Sequence, residues 1–255
     1  MTDLPTRPRS GDGSGRPSAR NRPQFNVRRN ADVRRVVPWS PFAYVAWQLR
    51  RCVRDLLVTA DLGPAPTVLD YGADDAPYRR HLPRRTSYLA ADLAGNPRAD
   101  VEIRADGTLP VADDTVDLVL STQVLEHVED PALYLSECTR VLRPGGSLVL
   151  TTHGIMHLHR DPEDYWRWTC DGLEKVVADA GLEVRRSVGV LGLVPAGLQL
   201  VQVGVARRMP RFALAPLFLV FQTLIAATDL GYDEGGRRDF GLVVGVMATK
   251  PGAAR

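Results

Sequence analysis

Thr67-Val68-Leu69-Asp70-Tyr71-Gly72-Ala73-Asp74-Asp75-Ala76-Pro77 is the stretch on which the fold is read. A short apolar run ends in an acid and then a glycine. The run suits a buried strand, and the glycine lets the backbone come close to a ligand. The next apolar run, Tyr88–Ala91, ends at Asp92, 22 residues after Asp70. That separation suits adjacent strand ends in a parallel sheet, where a carboxylate can accept two hydrogen bonds from a ribose diol. Val101–Ile103 leads to Asp106-Gly107, and Val116–Leu120 leads to Ser121-Thr122-Gln123 and then Glu126-His127. Alone, Asp70 reads equally as a helix cap and Asp92 as a turn residue. Three acids at three successive strand ends point instead to a nucleoside site.

Working outward, Leu148–Thr151, Leu182–Val188 and Leu242–Ala248 read as further strands, with helices expected over 75–82, 131–142 and 170–180. Asp130-Pro131 starts the second helix and Pro144-Gly145-Gly146 ends it. Ser40-Pro41 opens an earlier helix that Gly63-Pro64 stops. Strands alternating with helices predict an α/β fold, a doubly wound parallel sheet with helices on both faces.

At 255 residues and 44% hydrophobic, the chain is long enough for a full core. Cys52, Cys138 and Cys170 show no metal or redox spacing, which fits a reducing cytosol. Thirty Arg against two Lys reflect a GC-rich bacterial genome. Residues 1–38 hold nine Arg and three Asp, a balance of +6 within a net +2, so the remainder is acidic at −4. Poor in large apolar groups, 1–38 is expected to be a disordered tail, and 39–255 the folded domain. No nucleic-acid partner is expected for that acidic domain, and no secretory signal is read, so the expected location is cytoplasmic. A G-x-G-x-x-G dinucleotide fingerprint, a phosphate-binding P-loop and a Cys–His nucleophile are all missing.

The ordered set Val68–Gly72, Asp92, Asp106 to Pro110, Asp117-Leu118-Val119, Glu126-His127 to Pro131 and Leu142-Arg143-Pro144-Gly145-Gly146 resembles the class I S-adenosylmethionine-dependent methyltransferases, in particular the type 11 methyltransferase domain. The likeness covers about residues 66–152. It implies a Rossmann-like, seven-stranded sheet with an antiparallel last strand, and S-adenosyl-L-methionine as cofactor. By the same resemblance, Asp70 and Gly72 lie at the methionine end, Asp92 holds the ribose, Asp106-Gly107 meets the adenine, and Thr122 and Gln123 line the pocket. Family members carry Gly where this chain has Asp74, and usually again near Ala76. That departure motivates one alternative, a methyltransferase-like binding protein without turnover.

Between Thr151 and Thr169 fall three of the five His and two of the four Trp. This segment, 153–169, follows a strand end and is expected to overhang the methyl group. Its His and Asp-Tyr-Trp-Arg pattern resembles that of family members encoded beside polysaccharide and glycolipid genes. A hydroxyl acceptor needs a base, for which His157 or His159 is the candidate, oriented by Asp164. His153, Tyr165, Trp166 and Arg167 are candidate acceptor contacts: aromatic rings for a sugar or ring system, Arg167 for an acidic group. Trp166 and Trp168 read equally as packing under the helix over 170–180. Glu126-His127 is read as structural. The spacing of His153, His157 and His159 fits no standard metal site, so no metal is expected.

The acceptor classes left open are an oxygen on a sugar, glycan or lipid-linked intermediate, and an apolar quinone or polyketide. Residues 207–230 form an apolar helical insert, of which 212–228 carry no charge. That is short for a membrane span, and Pro216, Gln222 and Thr223 interrupt it. Its spare face is expected to meet a homodimer partner, the inner face of a membrane or an apolar acceptor.

Overall fold

The computed structural model describes residues 37–160 and 163–252. Residues 1–36 of the expected tail lie outside the described residues. Seven strands form one sheet: β1 (Thr67–Tyr71), β2 (Ser87–Asp92), β3 (Val101–Glu102), β4 (Val116–Thr122), β5 (Leu142–His153), β6 (Glu183–Val190) and β7 (Val243–Thr249). Their order is β3-β2-β1-β4-β5-β7-β6, and β7 alone runs antiparallel to its neighbours. This is the doubly wound, mostly parallel sheet expected. The order reverses between β1 and β4, so their carboxyl ends border the crevice where such sheets bind ligands.

β1 is buried from Val68 to Tyr71, as a central parallel strand covered on both faces must be. Leu69, Val119, Leu148 and Val246 pack on one face with Leu135 and Cys138 of α2 (Pro131–Val141) and Leu173 and Val177 of α3 (Cys170–Asp179). Val68, Leu118, Leu120 and Val149 pack on the other with Leu49, Val53 and Leu56 of α1 (Ala43–Thr59). α2 starts where expected: Pro131 is its first residue and Asp130 accepts the Leu133 amide at 3.0 Å.

Four expectations need correction. The helix over 75–82 is only a 3-10 turn, Arg79–His81. Asp74 and Ala76 take φ of 45° and 52°, and Pro77 and Pro83 bracket the rest, so no helical run can form. Pro144-Gly145-Gly146 does not follow the second helix as a separate stop but lies within β5, where the register with β4 shifts between Val116 and Leu118. α1 begins at Ala43, not Pro41, because Ser40 and Pro41 are held in the preceding turn. The insert is larger than 207–230. α4 (Leu193–Ala206) and α5 (Arg211–Asp229) form a hairpin, followed by α6 (Glu234–Phe240).

Candidate active site

The β1–β2 side of the crevice is built on backbone turned through the left-handed region. Gly72 has φ +84°, and a Cβ there would lie 2.5 Å from Val124 Cγ2. Asp74 and Ala76 hold left-handed φ as well, so the loop takes the conformation that glycine favours with Asp and Ala in place. Gly72→Ala should therefore cost about 1–3 kcal/mol in urea unfolding, and Ala76→Gly should be neutral or stabilising by up to about 1 kcal/mol. Ala76→Gly melting several degrees lower would show that the loop does not sit in this conformation.

Asp70 is 1% exposed and accepts a short hydrogen bond from the Tyr88 hydroxyl, so it caps no helix. Its other oxygen, Oδ1, is buried without a partner. Burial pushes its carboxyl up to about 7 against the opposing Tyr88 bond, with the Asp92 and Asp74 charges adding to the rise. The folded state thus keeps a proton that the unfolded chain releases near pH 4. This contribution is full below about pH 4, declines as pH rises to about 7, and is lost above that. Asp70→Asn should remove that decline, which urea unfolding at pH 5 and pH 8 would show; an unchanged pH dependence would contradict it.

Asp92 is the last residue of β2. Its Oδ1 accepts the Leu93 amide at 2.7 Å, and its Oδ2 accepts the Asp74 amide at 2.8 Å and Asn96 Nδ2 at 2.7 Å. The carboxylate thereby ties loop 72–76 to loop 93–96. A ribose diol donating two hydrogen bonds to it has to displace one of these three donors, because three of about four acceptor positions are in use. Asp106 lies four residues beyond β3, exposed. Its Oδ1 accepts the Thr108 amide at 3.0 Å and hydroxyl at 2.7 Å, bonds that pull its carboxyl below the usual range. Gly107 takes φ +84°, and its carbonyl accepts the Tyr71 hydroxyl at 2.6 Å. Thr122 ends β4. Gln123 follows with φ 58°, its amide donating to the Thr151 carbonyl at 2.8 Å and its Nε2 to Thr151 Oγ1 at 3.2 Å.

The acceptor side converges on Glu126, which is fully buried. Its Oε2 accepts the Thr152 hydroxyl at 2.8 Å. Its Oε1 faces His153 Nε2 at 3.3 Å and His127 Nε2 at 3.9 Å. The rings of His127, His153 and His159 lie 5.9–6.3 Å apart, centre to centre. Burial raises the Glu126 carboxyl and lowers the His153 imidazole to about 3. His127 Nδ1 meets the Glu163 carbonyl, and its Nε2 faces Glu126. Among the described residues, no group of three or more His, Cys, Asp or Glu is placed to hold a metal ion.

Several candidate roles change on this geometry. His159 joins the cluster, and so does His127, which the sequence suggested was structural. His157 does not; it stacks on Phe42 at 6.1 Å. Asp164 is engaged by Arg167 and by backbone. It pairs with both terminal nitrogens of Arg167 at 2.5 and 2.6 Å and accepts the His159 backbone amide at 2.6 Å. Its carboxyl falls to about 2; burial works against this, and the Arg167 and His159 hydrogen bonds outweigh it. Arg167 also donates to the Met156, His157 and Trp166 carbonyls, so all five of its N–H groups are engaged and none is left for an acidic acceptor. This clasp folds the segment over Glu126, whose carbonyl accepts the amides of Tyr165 and Trp166. The tryptophans divide: Trp168 packs against the core, whereas Trp166 is 39% exposed at the rim with Tyr165, its indole N–H donating to the Val128 carbonyl at 2.7 Å.

A methyltransferase domain profile matches residues 76–150, which span this crevice from the left-handed loop to β5. Over that stretch the chain resembles the S-adenosylmethionine-dependent methyltransferases. A probable S-adenosylmethionine-dependent methyltransferase of Mycolicibacterium smegmatis is 36% identical over 100 residues, covering 37% of this chain and 39% of that protein. A ubiquinone biosynthesis O-methyltransferase of Parvibaculum lavamentivorans is 31% identical over 99 residues, covering 32% and 39%. The match thus spans about two fifths of each relative's length. In fold, the chain resembles the cyclase SpnF, with TM-score 0.52 and 19% identity over 80% of this chain and 81% of that one. It also resembles a Haemonchus contortus phosphoethanolamine N-methyltransferase solved with S-adenosyl-L-methionine, with TM-score 0.50 and 16% identity over 89% and 60%. S-adenosylmethionine is the cofactor of this methyltransferase family. The crevice offers features that suit it: an unpartnered buried carboxylate oxygen on Asp70 and a second carboxylate ending β2.

Proposed function

We propose that the chain transfers a methyl group from S-adenosylmethionine to a hydroxyl oxygen of a sugar, glycan or lipid-linked intermediate. The observation that carries this reading is the convergence of His127 and His153 on buried Glu126, with the His159 ring beside both, at the carboxyl ends of β4 and β5. Asp70 and Asp92 are the residues that would hold the cofactor's methionine and ribose ends. When bound, the cofactor supplies the activated methyl group. The protein supplies position and a proton acceptor. Exposed His159 is the group to take the hydroxyl proton, and the His127 ring lies between it and the buried carboxyl. Glu126 beneath them stabilises the imidazolium that forms, and Thr152 keeps its carboxyl in place. Exposed Tyr165 and Trp166 at the rim offer flat apolar surface with polar edges, as a sugar face requires.

A second reading, an apolar quinone-type acceptor, is favoured by the ubiquinone O-methyltransferase relative. Incubating the full chain with methyl-labelled cofactor and fractionated glycan and lipid extracts tests both. Label in an alkali-stable ether of a sugar supports the first reading, and label on an aromatic oxygen supports the second. Label on nitrogen, or none in any fraction, contradicts both.

A further inference from the structure

The α4–α5 hairpin is built with its polarity reversed. A helical hairpin on a water-soluble domain buries apolar groups and exposes polar ones. Here the buried residues of the pair include Gln199, Gln202, Gln222 and Asp229. The amides of Gln199 and Gln202 donate to the Pro41 carbonyl at 2.9 and 2.7 Å, and Gln222 Nε2 shares its two hydrogens among that carbonyl and the Gln199 and Gln202 oxygens at 2.8–3.1 Å. Asp229 accepts from Tyr44, Gln48 and Arg237. The outer face carries Val194, Val201, Phe212, Leu219, Val220 and Leu224, all exposed, Phe212 at 85%. α5 is long and apolar enough to cross a membrane, yet only 17% of its apolar window is buried.

From Leu193 through Thr228 there is no acidic residue and no lysine. The charges are Arg207, Arg208 and Arg211, all in or beside the turn that joins the helices. Trp39 and Trp47, both exposed, extend the face beside the hairpin's anchor, Trp47 stacking on Tyr44.

We infer that the α4–α5 hairpin seats the protein on an anionic lipid bilayer, with its outer apolar face in the acyl boundary and its three arginines at the headgroups. Apolar groups outside and hydrogen-bonded amides inside are the arrangement that lipid contact selects, and the arginine-only charge matches anionic headgroups. Gln222 and Asp229 bind α5 to α1, and the chain returns to the sheet as β7, so the helix lies along the surface rather than across it. The seat also reaches the acceptor segment. Pro41, held by the three glutamines, precedes Phe42, which stacks on His157. The crevice is thereby set beside the bilayer, where a lipid-linked acceptor resides.

The inference rests on the hairpin surface and not on methyl transfer, so loss of methylation with intact lipid binding would count against the proposed function alone. The test is flotation of the full chain with phosphatidylcholine vesicles, with and without about one third phosphatidylglycerol, beside light scattering in buffer. The expected result is flotation with anionic vesicles, about tenfold or more above phosphatidylcholine alone. Phe212→Glu/Val220→Glu, both at exposed positions, should abolish it with an unchanged melting curve. Arg207→Glu/Arg208→Glu/Arg211→Glu should erase the anionic preference. A chain that ignores both vesicle types overturns the inference. So does a stable dimer that does not float and that Phe212→Glu/Val220→Glu dissolves, because the face then belongs to a second copy.

Discussion

Glu126→Gln is expected to lower turnover by about a hundredfold or more while cofactor affinity stays within about twofold. Glutamine keeps the size of the side chain, and its amide oxygen can still accept from Thr152. It cannot carry the negative charge that stabilises an imidazolium at His127 or His159. His159→Ala and His127→Ala separate the two rings. The one that accepts the acceptor's proton should lose about as much as Glu126→Gln, and the other far less. His157→Ala should change turnover little, because that ring stacks on Phe42 outside the cluster. The readout is single-turnover methyl transfer beside calorimetric cofactor binding. Full activity in Glu126→Gln and in both histidine variants would remove the cluster from the chemistry.

Asp92→Ala should weaken cofactor binding by about 1.5–3 kcal/mol, the scale of charge-assisted hydrogen bonds. The same carboxylate holds the Asp74 amide and Asn96, so loosened loops alone could produce a loss. Asn96→Ala is the control. It releases one bond to Asp92 and leaves the carboxylate free for the ribose. If Asp92 binds the diol, Asn96→Ala keeps or improves affinity while Asp92→Ala loses it. Equal losses in the two variants would make Asp92 a loop tie and not a ribose anchor.

The sheet was legible because its central strands are buried on both faces and read as short apolar runs between turn residues. α2 was legible from its Asp130-Pro131 start. α4 was not: its leucines and valines are interrupted by glycine and inward-facing glutamine, so no apolar stripe stands out. The 75–82 segment misled because its composition allows a helix, while the left-handed backbone at Asp74 and Ala76 forbids the start.

At the site, the strand-end acids could be found from spacing along the chain. The Glu126–His153 contact could not, since it depends on β4 and β5 pairing with Thr122 opposite Thr151. Asp164 and Arg167, three apart, carry the mark of a local ion pair. Only the fold shows that the pair closes on itself and the surrounding carbonyls and not on a substrate. The reversed polarity of the hairpin was half visible, as an apolar run; the inward turn of its glutamines is a tertiary fact.

The most direct test of the account is calorimetric titration of the full chain with S-adenosylmethionine. Saturable binding of one molecule per chain is predicted, displaced by S-adenosylhomocysteine and indifferent to NAD. No binding of S-adenosylmethionine, or binding of NAD in its place, would contradict it.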